Sequence, residues 1–243
     1  MSVPRVSIVA ALEREVWPIV KHWRAIEREH DGGKFKFFEN DRAVVICGGI
    51  GKEAARRATE AIICLYEPVA VISVGFAGAL DSKLKVGVPV PVRKVIDAAD
   101  GSRYEFEDGS FTLVTSSDVA GTVQKEKIGK AYGAHAVDME AAAVAKGAQK
   151  HGIPFLTFKA ISDEMDFEFP SMQRFITYSG RFQTARFAVF ATFRPWLWPK
   201  LFQLARNSAK ATKTLCGWLD QYNHPVEKLE NSTPGLHPIL RVR

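Results

Sequence analysis

The alternation of short apolar strands with alanine-rich helical segments restricts the fold of this chain more than any other feature. Residues 3–10 are β-branched and apolar, which predicts a buried strand, and the spacing of apolar residues predicts a helix over 13–29. Pro89 and Pro91 predict that a later strand bends or lies at an edge of the sheet. The remaining predicted elements are strands at 34–39, 42–47, 69–74, 88–95, 111–115, 135–137 and 153–161 and helices at 52–66 and 139–151. This order predicts an α/β fold, a three-layer sandwich with a mixed central sheet.

Composition limits the class of protein. The 243 residues are 47% hydrophobic and 25% charged, which is enough apolar material for a full core and excludes a disordered chain. Three widely spaced cysteines without a CxxC pair predict neither a disulfide framework nor a structural zinc site. The first residues lack the pattern of a secretory signal, and no apolar run is long enough to span a membrane. These features predict a cytoplasmic protein.

The last quarter of the chain differs from the rest in charge and in aromatic content. No acidic residue lies between Arg174 and Leu219, where basic and aromatic residues interleave. We divide the chain into a domain at 1–190 and a basic, aromatic, helical C-terminal extension at 191–243. The spacing of apolar residues predicts one amphipathic helix over 172–190 that closes the domain.

Two tryptophans and two prolines lie beside cations within residues 194–200. Trp196 and Trp198 suit a membrane interface, so we predict that residues 187–213 make peripheral contact with an anionic inner membrane surface. An oligomer interface is the alternative, because aromatic residues and arginine are enriched there too. The sequence carries no signature of a nucleic-acid-binding module, and no nucleic-acid partner is expected.

Small and acidic residues follow several predicted strands. Ligands bind at the carboxyl ends of strands in open α/β sheets, so these segments predict one shared site. The segments are 11–15, 48–51, 75–78 and 161–163. The glycines at 48–51 predict a tight strand-to-helix turn, because the Lys-Ser/Thr of a P-loop is missing.

Three carboxylates near these strand ends differ in how well structure alone explains them. Asp138 opens a predicted helix, where an acidic residue caps free amides. Glu140 enters an apolar helix and Asp163 follows an apolar strand, so both are predicted to be buried. A buried carboxylate needs partners, and a sugar diol offers two donors. Glu140 and Asp163 are therefore candidate functional residues, with a purely structural role as the alternative.

Five motifs, in this order, resemble those of the nucleoside phosphorylase superfamily. They are ALEREV at 11–16, GIGK at 49–52, VGFAGAL at 74–80, AVDMEAA at 136–142 and KAISD at 159–163. The resemblance extends to about residue 190 and is strongest to the hydrolytic branch, the 5'-methylthioadenosine/S-adenosylhomocysteine nucleosidases. AVDMEAAAVA, AISDEMDFEFP and FRPWLWPKLFQLARNSAKA also resemble the hopanoid-associated phosphorylases. That branch implies an adenosyl-hopane lipid precursor as the substrate and a role in hopanoid biosynthesis.

The resemblance implies cleavage of an N-glycosidic bond through an oxocarbenium-like ribosyl cation. Asp163 matches the residue that protonates purine N7, with Ser162 to orient it, and Glu15 matches the carboxylate that activates water. Glu140 matches the glutamate that binds the ribose hydroxyls, with Met139 as an apolar wall. Further substrate-binding positions implied by the family are Phe76, Ala77, Gly78, Ala120 and Gly121. The family implies no cofactor, no metal ion, and a homodimer or higher homo-oligomer.

Some positions depart from the nucleosidase pattern. Phe76 replaces a small polar residue, and Lys159 replaces an arginine. The arginines and the Gly-Asp-Pro-type loop that hold phosphate in phosphorylases are missing from the matching places, which favours hydrolysis. Arg14, Lys52 and Arg56 leave phosphorolysis open.

The predicted function is that of a purine nucleoside N-ribosyl hydrolase that releases adenine from a 5'-substituted adenosine. The alternatives are a methylthioadenosine/adenosylhomocysteine nucleosidase, a phosphate-dependent nucleoside phosphorylase and, from another class, a non-catalytic nucleoside-binding protein.

Overall fold

The computed structural model describes residues 5–106, 109–168, 173–177 and 180–223. The strands within these ranges are β1 (Val6–Ala10), β2 (Arg24–His30), β3 (Gly33–Glu39), β4 (Ala43–Cys47), β5 (Ala70–Ala79), β6 (Pro89–Asp97), β7 (Arg103–Glu105), β8 (Phe111–Thr115), β9 (Ala136–Asp138) and β10 (Phe155–Asp163). The helices are α1 (Glu13–Val20), α2 (Lys52–Tyr66), α3 (Thr122–Tyr132), α4 (Ala141–Lys150), α5 (Thr184–Thr192) and α6 (Trp198–Asn223). Short 3-10 turns span Gln173–Phe175 and Pro195–Leu197.

The strands form one mixed sheet, part of which closes on itself. β1 pairs in parallel with β4 and β5, and β10 pairs in parallel with β5. β10 is also antiparallel to β6, and the order β6–β8–β9 leads back to β5, so five strands form a closed ring. β3 and β2 extend the sheet beyond β4 and leave β2 at an open edge. The α/β fold with a mixed central sheet that the sequence predicts is confirmed.

Helices cover both faces of the sheet, and successive residues of β1 show how. Ile8 and Ala10 face the layer of α1 and α6, whereas Val9 faces the layer of α2 and α4. Alternate residues of a strand point to opposite faces, so a strand covered on both sides is apolar throughout. This explains the unbroken apolar run at the start of the chain.

The helix predicted over 13–29 is wrong in its second half. α1 ends at Val20, and Arg24–His30 forms β2, which pairs antiparallel with β3. Asp31 and Gly32 connect the two strands with φ angles of 48° and 68°, the two positive values that a type I′ hairpin turn needs. The Asp-Gly turn and the pairing with β3 therefore outweigh the helical spacing of the apolar residues.

The single helix predicted over 172–190 is also wrong. Ile176 and Phe182 form an isolated antiparallel bridge, and α5 begins only at Thr184. The turn between them places the Gly180 carbonyl 2.8 Å from the Ile50 amide, which donates a hydrogen bond to it. Gly180 has a φ of 75°, and a Cβ at this position would lie 2.5 Å from the Ile50 carbonyl oxygen. This contact with a distant part of the chain replaces the helix.

β6 is an interior strand, which corrects the alternative of an edge position. Its first residues, Pro89 and Pro91, pair with β10, whereas pairing with β8 begins only at Val92. Proline has no N–H to donate. At Pro89 and Pro91 the missing N–H would point to the side where this part of β6 has no strand partner, so both prolines are tolerated.

The second half of α6 belongs to the same core as β1 and β10. Ala211, Leu215 and Leu219 are buried there, and the Trp218 ring stacks on Phe158 with centroids 4.1 Å apart. The helical character predicted for the C-terminal segment is present, and the domain boundary at residue 190 stays a prediction. Among the described helices, none combines the length and apolarity that a membrane span requires.

Candidate active site

A cavity of about 370 Å³ opens at the carboxyl ends of β1, β5, β9 and β10. Its wall also includes the first turn of α1, the start of α3 and the segment that leads into α5. The lining residues are Ala11, Leu12, Glu13, Arg14, Glu15, Ile50, Phe76, Ala77, Gly78, Asp118, Val119, Ala120, Lys125, Val137, Asp138, Met139, Glu140, Ser162, Asp163, Ile176, Phe182 and Thr184.

Asp163 occupies one end of this cavity, at the last position of β10, and is buried. Ser162 Oγ donates to Asp163 Oδ1 at 2.6 Å, as an orienting role requires. Lys125 Nζ lies 2.5 Å from Asp163 Oδ2 and donates a second hydrogen bond to the Glu164 carbonyl at 2.6 Å. Gly78 leaves space for this pair, because a Cβ there would be 2.7 Å from Asp163 Oδ2.

Glu15 occupies a second position on the wall, in the first turn of α1, and is also buried. Its Oε2 accepts hydrogen bonds from the amides of Ala11 at 3.0 Å and Leu12 at 3.1 Å. Burial raises the pKa of Glu15, although the Leu12 amide and the charge of Lys159 oppose the shift.

The spacing along β5 relates the two carboxylates. Glu15 lies against Gly75, where a Cβ would be 3.3 Å from its Oε2, and Asp163 lies against Gly78. Three residues of extended strand span about 10 Å, so the carboxyl groups lie at well-separated places in the cavity.

Glu140 lies at the N-terminal cap of α4, where its Oε1 accepts a hydrogen bond from the Gly51 amide at 2.7 Å. Burial and then repulsion by Asp138 raise the pKa of Glu140 to about 8. Gly49 and Gly51 have φ angles of 106° and 95°, so the tight turn predicted at 48–51 is confirmed. This turn holds the carboxyl group that lies on the cavity wall.

A buried lysine, Lys159, pairs with Asp138 and stabilises this part of the cavity wall. Lys159 Nζ lies 2.9 Å from Asp138 Oδ2 and donates to Ser73 Oγ at 3.2 Å. Burial opposes the charge of Lys159, but Asp138 and Glu140 outweigh it and raise its pKa. Asp138 also accepts a hydrogen bond from the Ala141 amide at 2.8 Å, so its predicted capping role is confirmed.

The structure brings nearly all the predicted site residues to one cavity. Those on its wall are Glu15, Phe76, Ala77, Gly78, Ala120, Met139, Glu140, Ser162 and Asp163. Gly121 is not on the wall; it precedes α3, and its amide donates to Gln124 Oε1 at 3.2 Å. The Arg14 guanidinium lies 5.9 Å from the centroid of the Phe76 ring, so this ring sits beside a cation at the rim.

The sequence did not identify Lys125, Ile176, Phe182 or Thr184 as site residues, although all line the cavity. Lys125 lies in a helix with an otherwise polar pattern, and no local signal marks it as buried. Ile176 and Phe182 fall within the helix predicted over 172–190, and only the turn around Gly180 brings them to the site.

Together, the mixed sheet and the carboxylates at its strand ends define an α/β protein with a carboxylate-lined site for a small molecule. Residues 5–120 and 111–177 match the family model described as the Phosphorylase superfamily, and the chain belongs to this family. The predicted superfamily and the predicted enzyme class, a nucleosidase or nucleoside phosphorylase, are confirmed at this level.

Relatives and solved structures agree with this assignment. The 5'-methylthioadenosine/S-adenosylhomocysteine nucleosidase of Staphylococcus aureus (strain JH9) is 30% identical in an alignment that covers 67% of this chain and 90% of that protein. The futalosine hydrolase of Helicobacter pylori shares the fold with a TM-score of 0.65 and 19% identity, over 90% of this chain and 98% of that one. An adenine complex of the nucleosidase from Colwellia psychrerythraea has a TM-score of 0.60 and 24% identity, over 66% and 83%.

Proposed function

We propose that this protein is a purine nucleoside N-ribosyl hydrolase that releases adenine from a 5'-substituted adenosine. The observation that carries the proposal is the presence of two buried, well-separated carboxylates, Asp163 and Glu15, in one cavity with Glu140 on its wall. The nucleosidase activity named for the Staphylococcus aureus relative supports the same chemistry.

In this proposal the purine lies at the Asp163 end, where the departing base receives a proton. The ribosyl cation needs contacts that strengthen as the glycosidic bond breaks, and the Glu140 carboxyl offers hydrogen bonds to the ribose hydroxyls. Met139 lies beside it as an apolar wall. Glu15 takes a proton from the attacking water, and its raised pKa makes it a better base than an ordinary carboxylate.

The cations near the cavity are paired or exposed to solvent, which favours water over phosphate as the nucleophile. Lys52 Nζ pairs with Asp97 at 2.5 Å, and Arg56 pairs with Glu53 at 2.7 Å on the surface. Arg14 is exposed at the rim. Tight binding of phosphate needs several fixed cations or amides around one point, and the described lining residues do not supply such a set.

A groove between α1 and α6 supports a large 5'-group on the substrate. It has a volume of about 960 Å³ and shares Glu13 and Arg14 with the wall of the cavity. Most of its other lining residues are apolar or small: Trp17, Pro18, Ala205, Ser208, Ala209, Thr212, Cys216 and Gly217. A lipid-linked nucleoside such as an adenosyl-hopane would place its apolar part there.

The exposed aromatic residues around the start of α6 support contact with an anionic membrane. Phe193, Trp196 and Phe202 are 74%, 68% and 69% exposed. No acidic residue lies between Arg174 and Leu219 in the sequence, and Arg194 and Lys200 are close to these rings in the chain, which favours anionic headgroups. We place the protein in the cytoplasm, in peripheral contact with the inner membrane surface.

Adenine release tests the proposed reaction. Adenosine, methylthioadenosine, adenosylhomocysteine and an adenosyl-lipid are each incubated with and without phosphate. We expect release without phosphate, at least 100-fold slower in Glu15→Gln, and unchanged in the surface control Glu53→Gln. Release that requires phosphate would contradict hydrolysis, and binding without release would establish a nucleoside-binding protein.

Flotation with anionic vesicles tests the surface. We expect binding at low salt that weakens in Trp196→Ala/Phe202→Ala. A wild type that fails to float would refute membrane contact, and a dimer lost in the same variant would identify this surface as an interface between copies.

A further inference from the structure

Three side chains of different chemistry meet at the surface between α2 and α4. Glu60 and Cys64 lie one helical turn apart on the same face of α2, and His151 is the C-terminal cap of α4. Glu60 Oε1 lies 3.9 Å from Cys64 Sγ and 3.2 Å from His151 Nε2. One potential ligand atom from each residue lies within 4.8 Å of the other two. All three residues lie outside the wall of the active-site cavity, so the proposed reaction gives them no role.

Close packing of the two helices fixes the backbone at this place. Gly147 of α4 lies against Thr59 of α2, where a Cβ would be only 2.7 Å from Thr59 Cγ2. Thr59 is buried, and its Oγ1 donates a hydrogen bond to the Ala55 carbonyl at 2.8 Å. The His151 amide donates to the Ala148 carbonyl at 3.2 Å and continues the last turn of α4. The fold therefore holds the three side chains together before any ligand binds, which lowers the cost of binding.

The distances and the charges suit a small divalent ion. In a tetrahedral zinc site with bonds of about 2.0–2.3 Å, neighbouring ligand atoms lie about 3.3–3.6 Å apart. The separations of 3.9 and 3.2 Å around Glu60 Oε1 are close to this range. A thiolate, a carboxylate and a neutral imidazole together carry two negative charges, which balance a divalent cation. Sulfur and nitrogen ligands favour Zn²⁺ over Mg²⁺ and Ca²⁺, which prefer oxygen.

We propose that Glu60, Cys64 and His151 bind a divalent transition-metal ion of the zinc class, which links α2 to α4 away from the active site. Three protein ligands leave the fourth position to water. Binding releases the thiol proton of Cys64 to solvent, because the thiolate is the form that binds the metal. His151 binds through Nε2 and keeps its proton on Nδ1. Cysteine spacing does not reveal this site, because it contains one cysteine and a histidine 91 residues from Glu60.

Lys150 competes with the metal for Glu60. Its Nζ lies 3.4 Å from Glu60 Oε1, and its side chain is 68% exposed, so the ammonium can turn into solvent when a metal binds. An exposed pair of this kind is weak, and Lys150→Gln should therefore tighten metal binding by about 2- to 5-fold. Ion pairing of Glu60 with its basic neighbours does not account for Cys64, since a thiol is only a weak donor.

Cobalt titration tests binding without any enzymatic activity. The reduced protein is titrated with Co²⁺, whose absorption reports thiolate ligation and tetrahedral geometry, and Zn²⁺ or Mg²⁺ is then added. We expect one Co²⁺ per chain, displaced by Zn²⁺ and not by Mg²⁺. Cys64→Ser should abolish the thiolate absorption, and Glu60→Gln and His151→Gln should each weaken binding by at least about 10-fold. A wild type without the thiolate absorption would overturn the inference.

Two controls make the titration specific. Cys47 and Cys216 remain in Cys64→Ser, so thiolate absorption that persists in this variant would place the metal elsewhere and refute the proposal. His22 is an exposed histidine outside the cluster, and His22→Gln should bind Co²⁺ as tightly as wild type. Weaker binding by Lys150→Gln would refute the arrangement around Glu60.

Urea unfolding tests the link between the helices. Saturating Zn²⁺ should raise the unfolding midpoint of wild type and leave that of Cys64→Ser unchanged, because a ligand that binds only the folded state stabilises it. An unchanged wild-type midpoint would overturn the link. These measurements do not use adenine release, so the metal site and the proposed function stand or fall separately.

Discussion

Replacing Glu140 by glutamine removes a carboxyl whose pKa the fold raises from 4.5 to about 8, through burial and the repulsion of Asp138. Between these two values the folded protein keeps a proton that the unfolded chain releases. The stabilising contribution is therefore complete below pH 4.5 and is lost as the pH rises through about 8. Within this window the free energy of unfolding falls by up to about 1.4 kcal/mol per pH unit.

The size of the effect follows from the same shift. The whole window sets an upper bound of about 5 kcal/mol, and because solvent reaches the half-buried Glu140 we expect about 2 kcal/mol. Glu140→Gln resembles the protonated form and lacks this loss. Relative to wild type, the variant should therefore gain about 2 kcal/mol between about pH 5 and pH 8.

Urea unfolding of both proteins at about pH 5, 6, 7 and 8 measures this difference. Glu126→Gln is the matched control, because Glu126 is exposed and its pKa is lowered by Lys130. The control should show a small change of opposite sign. A difference for Glu140→Gln that stays flat, or that falls with pH, would show that the folded protein holds Glu140 ionised and would refute the burial argument.

Three further experiments test separate parts of the structure. Leu215→Ala should lower the free energy of unfolding in urea by about 3 kcal/mol, because this side chain of α6 is buried in the core. Phe202→Ala changes an exposed side chain of the same helix and should lower it by less than about 0.5 kcal/mol. Equal effects of the two variants would show that α6 lies outside the core. Gly78→Ala should weaken adenine binding at least 10-fold in calorimetry, because its Cβ would lie 2.7 Å from Asp163 Oδ2; unchanged affinity would contradict this geometry. Adenine release should fall as the pH drops toward the raised pKa of Glu15, and an acid limb at or below pH 4.5 would argue against Glu15 as the base.

The elements that the sequence predicted correctly are those whose structure depends on residues close together in the chain. The helix Lys52–Tyr66 is present with the predicted bounds, and β3 and β4 match the strands predicted at 34–39 and 42–47 to within one residue at each end. The Asp31-Gly32 turn is an equally local signal, and it indicates the hairpin of β2 and β3 in place of the second half of the helix predicted over 13–29. This part of the fold was therefore accessible to sequence reasoning.

Other features depend on contacts between distant segments, which no local pattern contains. The turn at Gly180 forms because its carbonyl meets the amide of Ile50, far away in the chain. Lys125 has the surroundings of a surface residue in the sequence, and only its partner Asp163 explains its burial. The resemblance to the superfamily identified most of the segments that line the cavity, but it did not identify Lys125.

The closed ring of strands also affects how the sheet meets other molecules. A ring has no unpaired backbone amides along its sides, so the long open edge of the described sheet is β2. This strand, Arg24–His30, has the sequence RAIEREH, and its side chains are mostly exposed. In the antiparallel register that centres two copies of β2 on each other, Glu27 would lie against its own copy and repel it. The charged edge thus protects the protein against strand-by-strand aggregation.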